Sequence, residues 1–99
     1  MLIHTVLFWL KDDLTEQQIQ EFRAGLENLR SIVYVKAIYV GTPAETGDRP
    51  QIDKSYTVGM TAVFNNIKDH DSYQTHPKHK KFLSDFNAYW TDIRIYDFG

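Results

Sequence analysis

Alternating side chains at the start of the chain predict a β-strand. The segment from Leu2 to Leu10 is rich in β-branched and aromatic residues, which favour strands. His4, Val6 and Phe8 share one face of this strand, and the opposite face ends in Trp9. Neither face is polar, so we expect both faces to be covered.

The most regular pattern follows this strand and predicts a helix. Thr15 is the expected N-cap, and Gln18 three residues later completes a capping box. Apolar residues then recur at intervals of three and four, the spacing of one helical stripe. The stripe consists of Ile19, Phe22, Leu26, Leu29 and Val33.

Three further strands are predicted. Two run from Tyr34 to Val40 and from Tyr56 to Phe64, and the last runs from Ile93 to Phe98. The segment Gly41 to Ser55 separates the first two and is too long for a tight hairpin. Its glycines, prolines and mixed charges predict a mobile loop.

A second helical region is interrupted. Asn66 is the expected cap of a short helix through Tyr73. That helix must end at His76-Pro77, because proline lacks an N–H group and disfavours a helical residue before it. A new helix can begin at Pro77, since proline is tolerated in a first turn. Its predicted apolar positions are Phe82, Leu83, Phe86, Tyr89 and Trp90.

The resulting order, β-α-β-β-α-β, predicts an α+β, ferredoxin-like fold for a single domain spanning residues 1–99. In this fold a four-stranded antiparallel sheet carries both helices on one face. The other face would be open, yet the strands are apolar on both sides, and such a surface usually marks an interface. We therefore expect a homodimer in which two sheets form an α+β barrel.

Composition narrows the function classes. The net charge of −2 gives no basic surface for nucleic acid or an anionic membrane. No apolar run approaches the roughly 20 residues that span a bilayer, and no basic segment precedes the first strand as in a signal peptide. The absence of cysteine excludes disulfides and thiolate metal sites. A cytoplasmic protein is expected.

The candidate chemistry lies around the interrupted helix. His79 is three residues before Phe82, so it belongs to the inward face of the second helix, and the break lets Tyr73 address the same space. His4 also points inward if its strand face meets the helices. Two interpretations remain open: buried, hydrogen-bonded structural residues, or an acid–base site with histidine as base and tyrosine as donor. The expected pocket-lining residues are Phe22, Leu26, Phe82, Phe86 and Trp90.

No cofactor or metal site is predicted. His76 and His79 have the spacing of a metal-binding pair, but Pro77 disrupts the helical geometry and no third ligand is evident. The chain has no GxGxxG motif and no P-loop.

Three motifs together resemble the stress-responsive A/B barrel family over essentially the whole chain. They are Ile3-His4-Thr5-Val6-Leu7-Phe8, Tyr73-x-x-His76-Pro77-x-His79 and Tyr96-Asp97-Phe98. The resemblance implies a homodimeric α+β barrel, and many family members have no known activity.

One branch of that family, of the olivetolic acid cyclase type, closes linear polyketides without a cofactor. The resemblance to it implies His79 as general base, Tyr73 as the group that polarises a carbonyl, and His4 in the same pocket. We further expect Asp97 to accept a hydrogen bond from His79. The expected function is therefore a barrel that binds a small apolar or aromatic molecule, either as an acid–base enzyme or as a non-catalytic stress-response or ligand-binding protein.

Overall fold

A computed structural model describes all residues, 1–99, and contains four strands and three α-helices. The expected β-α-β-β-α-β order is confirmed, with the second helical region split in two. The elements are β1 (Leu2–Leu10), α1 (Glu16–Asn28), β2 (Ala37–Gly41), β3 (Val58–Phe64), α2 (Ile67–Gln74), α3 (Pro77–Phe86) and β4 (Trp90–Phe98). No helix combines the length and hydrophobicity that a membrane crossing requires.

The sheet is antiparallel, with strand order β2-β3-β1-β4, as expected for a ferredoxin-like fold. Its inner face packs against the helices. Every second residue of β3 from Val58 to Phe64 is buried there, and so are His4, Val6 and Phe8 of β1. The two-residue period of the strands therefore decides which side chains can reach a site beneath the helices.

The predicted capping of α1 is confirmed. The Thr15 hydroxyl accepts a hydrogen bond from the Gln18 backbone N–H, and the Gln18 side chain accepts one from the Thr15 N–H. The apolar stripe was wrongly predicted to continue to Val33. The chain instead tightens after α1 into a 3-10 turn at Leu29–Ser31. The tighter turn buries Ile32 and leaves Val33 83% exposed.

The predicted starts of two strands also differ. β2 begins at Ala37 rather than Tyr34, because a turn closed by a hydrogen bond from Val35 N–H to the Ile32 carbonyl precedes it. β3 begins at Val58 rather than Tyr56.

The helix α3 ends at Phe86, so Tyr89 and Trp90 are not on it. Tyr89 ends a 3-10 turn, and Trp90 is already the first residue of β4, which therefore starts three residues before the predicted Ile93. Trp90 packs against the core from its place on the strand. An inward-facing apolar residue at this position is compatible with a helical spacing as well as with a strand, which explains the wrong prediction.

The outer face of the sheet carries exposed apolar side chains with no cover from this chain. Tyr39, Tyr96 and Phe98 are each more than half exposed, and Leu7 lies on the same face, on the central strand β1. A stable interface of standard size buries on the order of 1,600 Å². We therefore expect this face to pack against a second copy.

Light scattering at micromolar concentration should give twice the chain mass of 11.6 kDa. Leu7→Asp places a charge in the middle of the outer face and should shift the protein to monomer. Val33→Asp, a charge on an exposed apolar residue in the turn after α1, should leave the dimer intact. A monomeric wild-type protein would contradict the expectation.

The loop between β2 and β3 contains few backbone hydrogen bonds and many exposed side chains. It is attached mainly at its end, where the Trp9 indole N–H donates to the Ser55 hydroxyl and Ser55 donates to Asp53. Segments with so few contacts open at low free energy. Limited proteolysis of the native protein should therefore cut first between Gly41 and Ser55, and a first cut within a helix would contradict this.

Candidate functional site

A cavity of about 140 Å³ lies between the inner face of the sheet and the helices. Its polar lining comes from His4, Tyr73, Gln74 and His79, and its other walls are apolar. Because Ile95 is 53% exposed and also lines it, the cavity reaches the surface beside β4, the edge strand.

The helix break brings Tyr73 and His79 together. The α2 helix ends at Gln74, and His76 caps α3 by accepting the Lys78 backbone N–H on its Nδ1. Pro77 occupies the first position of α3, as predicted. The two aromatic rings meet edge to face, with 4.7 Å between their centroids. The predicted convergence of these two side chains on one space is confirmed.

His79 has an unusual position for a polar residue. It is 9% exposed, and its Nδ1 is the one buried side-chain nitrogen or oxygen that lacks a hydrogen-bond partner. A buried polar atom without a partner costs about 1–3 kcal/mol. Such a group is uncommon in a native protein, and it lies here in the wall of a cavity.

The predicted contact between Asp97 and His79 is wrong. Asp97 instead accepts a hydrogen bond from Nδ1 of His4, at 2.5 Å. The register explains this pairing, because His4 on β1 lies directly opposite Asp97 on β4. Their side chains point to the same face of the sheet, whereas His79 lies above on the helix layer.

Burial sets the protonation state of the site. It lowers the pKa of His79 below its ordinary value of 6.5, and the nearby His4 and His70 lower it further. Burial also lowers the pKa of His4, although the hydrogen bond to Asp97 opposes the shift. The pKa of Tyr73 is raised by burial alone. At neutral pH the site therefore holds a neutral imidazole at His79 beside a protonated phenol.

Of the five residues predicted to line a pocket, three line this cavity and two do not. Leu26, Phe82 and Trp90 line the cavity. Phe22 is fully buried behind them, edge to face with Phe8 at 5.0 Å. Phe86 packs over Gly25, where an added Cβ would lie 2.6 Å from its ring.

Sequence patterns did not indicate the rest of the wall. Met60, Ile93 and Ile95 come from strands that pass beneath the helices. They share the inward strand faces with residues that fill the core, so alternation alone could not distinguish lining from filling.

His70 is a further residue beside the site. Its ring lies 4.9 Å from that of His4 and 5.5 Å from that of Phe64, between centroids. The sequence spacing could have indicated this position, because His70 and Tyr73 are three residues apart and therefore share a face of α2.

The family model for the stress-responsive A/B barrel domain matches residues 2–99. The chain belongs to this family. The motifs around His4, His79 and Asp97 thus identified the family correctly from the sequence.

Similar proteins include two with named activities. Olivetolic acid cyclase of Cannabis sativa is 26% identical over 96 residues, which cover 96% of this chain and 92% of the cyclase. A hydroxynitrile lyase from Passiflora edulis has a TM-score of 0.80 at 22% identity, with 98% of this chain and 90% of the lyase covered.

A third similar protein is a dimeric ferredoxin-like protein from Thermobifida fusca, of unknown function. It has a TM-score of 0.80 at 22% identity and covers 99% of this chain and 89% of its own. These two structures share the fold of this chain, and the Thermobifida protein is dimeric.

The lowered pKa of His79 makes the stability pH-dependent. The unfolded chain binds a proton at His79 near pH 6.5, whereas the folded chain resists protonation until a lower pH. The free energy of unfolding should therefore be greatest above pH 6.5 and fall as the pH is lowered toward the folded-state pKa. One such group contributes a slope of at most about 1.4 kcal/mol per pH unit.

Denaturant unfolding between pH 7.5 and 5 should show this slope, and His79→Gln should reduce it. His76→Asn is the matched control, because it removes a partly exposed imidazole and keeps an acceptor for the α3 cap. An equal slope in wild type and His79→Gln would contradict the assignment.

Proposed function

We propose that this protein is an acid–base enzyme that acts on a small apolar or aromatic molecule with an enolisable carbonyl, in a reaction of the cyclase or isomerase type. Its catalytic groups are His79 and Tyr73, assisted by His4 and Asp97. No organic cofactor or metal takes part in the proposed reaction.

One observation carries the proposal: Tyr73 and the unpartnered imidazole of His79 meet at the wall of an apolar cavity. A core filled with apolar side chains would have favoured structural histidines. A cavity bordered by a neutral base and a neutral hydrogen-bond donor instead provides the two groups that proton transfer next to a carbonyl requires.

The chemistry follows from the protonation states. His79 accepts a proton from the carbon beside the carbonyl, while the Tyr73 hydroxyl donates a hydrogen bond to the carbonyl oxygen, where negative charge develops. Because its pKa is lowered, the His79 imidazolium readily gives the proton back to another atom of the same molecule. The substrate is rearranged, the imidazole is regenerated, and no oxidant or reductant is consumed.

His4 and Asp97 act as a positioning pair in this scheme. The His4 ring is edge to face with that of Tyr73, 6.2 Å between centroids, and its own orientation is fixed by the hydrogen bond to Asp97. A fixed His4 ring restricts the Tyr73 ring, so that its hydroxyl stays directed at the substrate.

The cavity volume limits the substrate. A cavity of about 150 Å³ can hold a benzene molecule, and the cavity here has about 140 Å³. We therefore propose a substrate whose buried part is no larger than a single ring. A long acyl chain would need more space than these walls enclose.

The similar proteins support an enzyme without specifying its substrate. Within this fold, one relative is a cyclase and another neighbour is a lyase. A cyclase forms a ring and a lyase cleaves a bond, and acid–base chemistry is compatible with both names.

Proton exchange provides a test that needs no knowledge of the natural substrate. In D2O, the protein should accelerate the loss of the α-proton signal of a small aryl ketone or 1,3-diketone in NMR spectra. His79→Ala should slow the catalysed exchange by about 10²–10⁴-fold, the usual contribution of a general base. Tyr73→Phe should slow it less, since the base remains.

His76→Asn is the control and should exchange protons at the wild-type rate. Full activity in His79→Ala would exclude His79 as the base. If no carbonyl compound shows catalysed exchange and His79→Ala only lowers the melting temperature, the non-catalytic function with structural histidines is correct.

A further inference from the structure

Two histidines and a carboxylate converge next to the cavity. A ring nitrogen of His4, a ring nitrogen of His70 and a carboxylate oxygen of Asp97 lie within 4.8 Å of one another. The three residues belong to β1, α2 and β4, so separate elements bring them together. Nothing in the proposed acid–base reaction requires His70.

We propose that His4, His70 and Asp97 bind a divalent transition-metal ion with the preferences of zinc. Two imidazoles and one carboxylate form a common three-ligand set for catalytic zinc, which leaves a fourth position for water or a ligand. The same set serves other first-row metals, and affinity generally rises toward copper.

The charges at the site favour a cation. Asp97 forms its single ion pair with His4, and no lysine or arginine neutralises its carboxylate. Binding requires the ion to replace the proton that His4 shares with Asp97, and that proton passes to solvent. The bound ion then holds the His4 ring in place of this hydrogen bond.

His70 has a partner typical of a metal-binding histidine. Its Nδ1 lies 3.2 Å from the Asp71 carboxylate, to which the ring N–H can donate. Metal-ligating histidines commonly donate their second nitrogen to a carboxylate in this way, which fixes the tautomer and leaves the other nitrogen free to bind. The Gln74 amide, 3.3 Å from Nε2 of His70, must turn aside when the metal binds.

Only small movements are needed to complete the site. Bonds of about 2.0–2.1 Å to a tetrahedral zinc place ligand atoms roughly 3.3 Å apart. The His4 side chain is 4% exposed and fixed, whereas those of His70 and Asp97 are 16% and 42% exposed and have room to adjust.

Zinc titration of chelator-treated protein, in competition with a chromophoric chelator, tests the proposal without any substrate. We expect one zinc ion per chain. His70→Ala and Asp97→Asn should each weaken binding by at least about tenfold, since loss of even an outer-shell partner costs 10- to 100-fold. His76→Asn should bind zinc as the wild type does.

Cobalt provides a second readout, because a tetrahedral site should give visible absorption bands that His70→Ala abolishes. Circular dichroism of the metal-free variants shows whether each one is folded. If His70→Ala does not fold, the binding measured for Asp97→Asn decides the test. Lack of binding at millimolar zinc, or equal binding by wild type and both ligand variants, would overturn the site. Either result leaves the proposed role of His79 unaffected.

Discussion

The break between α2 and α3 is the constraint from which the site follows. Pro77 cannot donate a backbone hydrogen bond, so the helix that carries Tyr73 must end before it, and the next helix starts in a new direction. On a single straight helix, residues six apart would lie on different sides, because each residue advances about 100°. The break lets Tyr73 and His79 face each other across 4.7 Å.

Backbone pairing in the sheet supplies the other polar groups. His4 and Asp97 are opposite each other on neighbouring antiparallel strands, where directly paired side chains lie about 4.5–5.5 Å apart at Cβ. Since strand pairing brings these residues together, their hydrogen bond requires no further ordering of loops. Tyr73, His79 and His70 belong to the helices that cover this face of the sheet. The cavity is the space between the sheet and the helices.

Local chemistry explains why much of the fold could be predicted. The caps at Thr15 and Asn66 and the break at Pro77 depend on residues within a few positions of each other, and all three were correct. The predicted ends of helices were wrong where a tight turn interrupted a regular pattern, as at Val33 and Trp90.

For the site, the sequence could predict only which side chains point toward the inside of the fold. Periodicity indicated that His4, Tyr73 and His79 point inward, which they do. It could not indicate that Asp97 contacts His4 rather than His79, because that choice depends on the pairing of strands 93 residues apart in sequence. Nor could it separate Phe22, which fills the core, from Leu26, which lines the cavity one turn later.

Substitutions in the edge strand β4 can change the shape of the cavity. Ile93 and Ile95 form one wall of the cavity, yet neither belongs to the helix junction that holds Tyr73 and His79. Exchanging either isoleucine for a smaller or larger side chain would reshape the space while leaving that junction in place. Evolution can thus alter what the pocket accepts one strand residue at a time, without rebuilding the reactive groups.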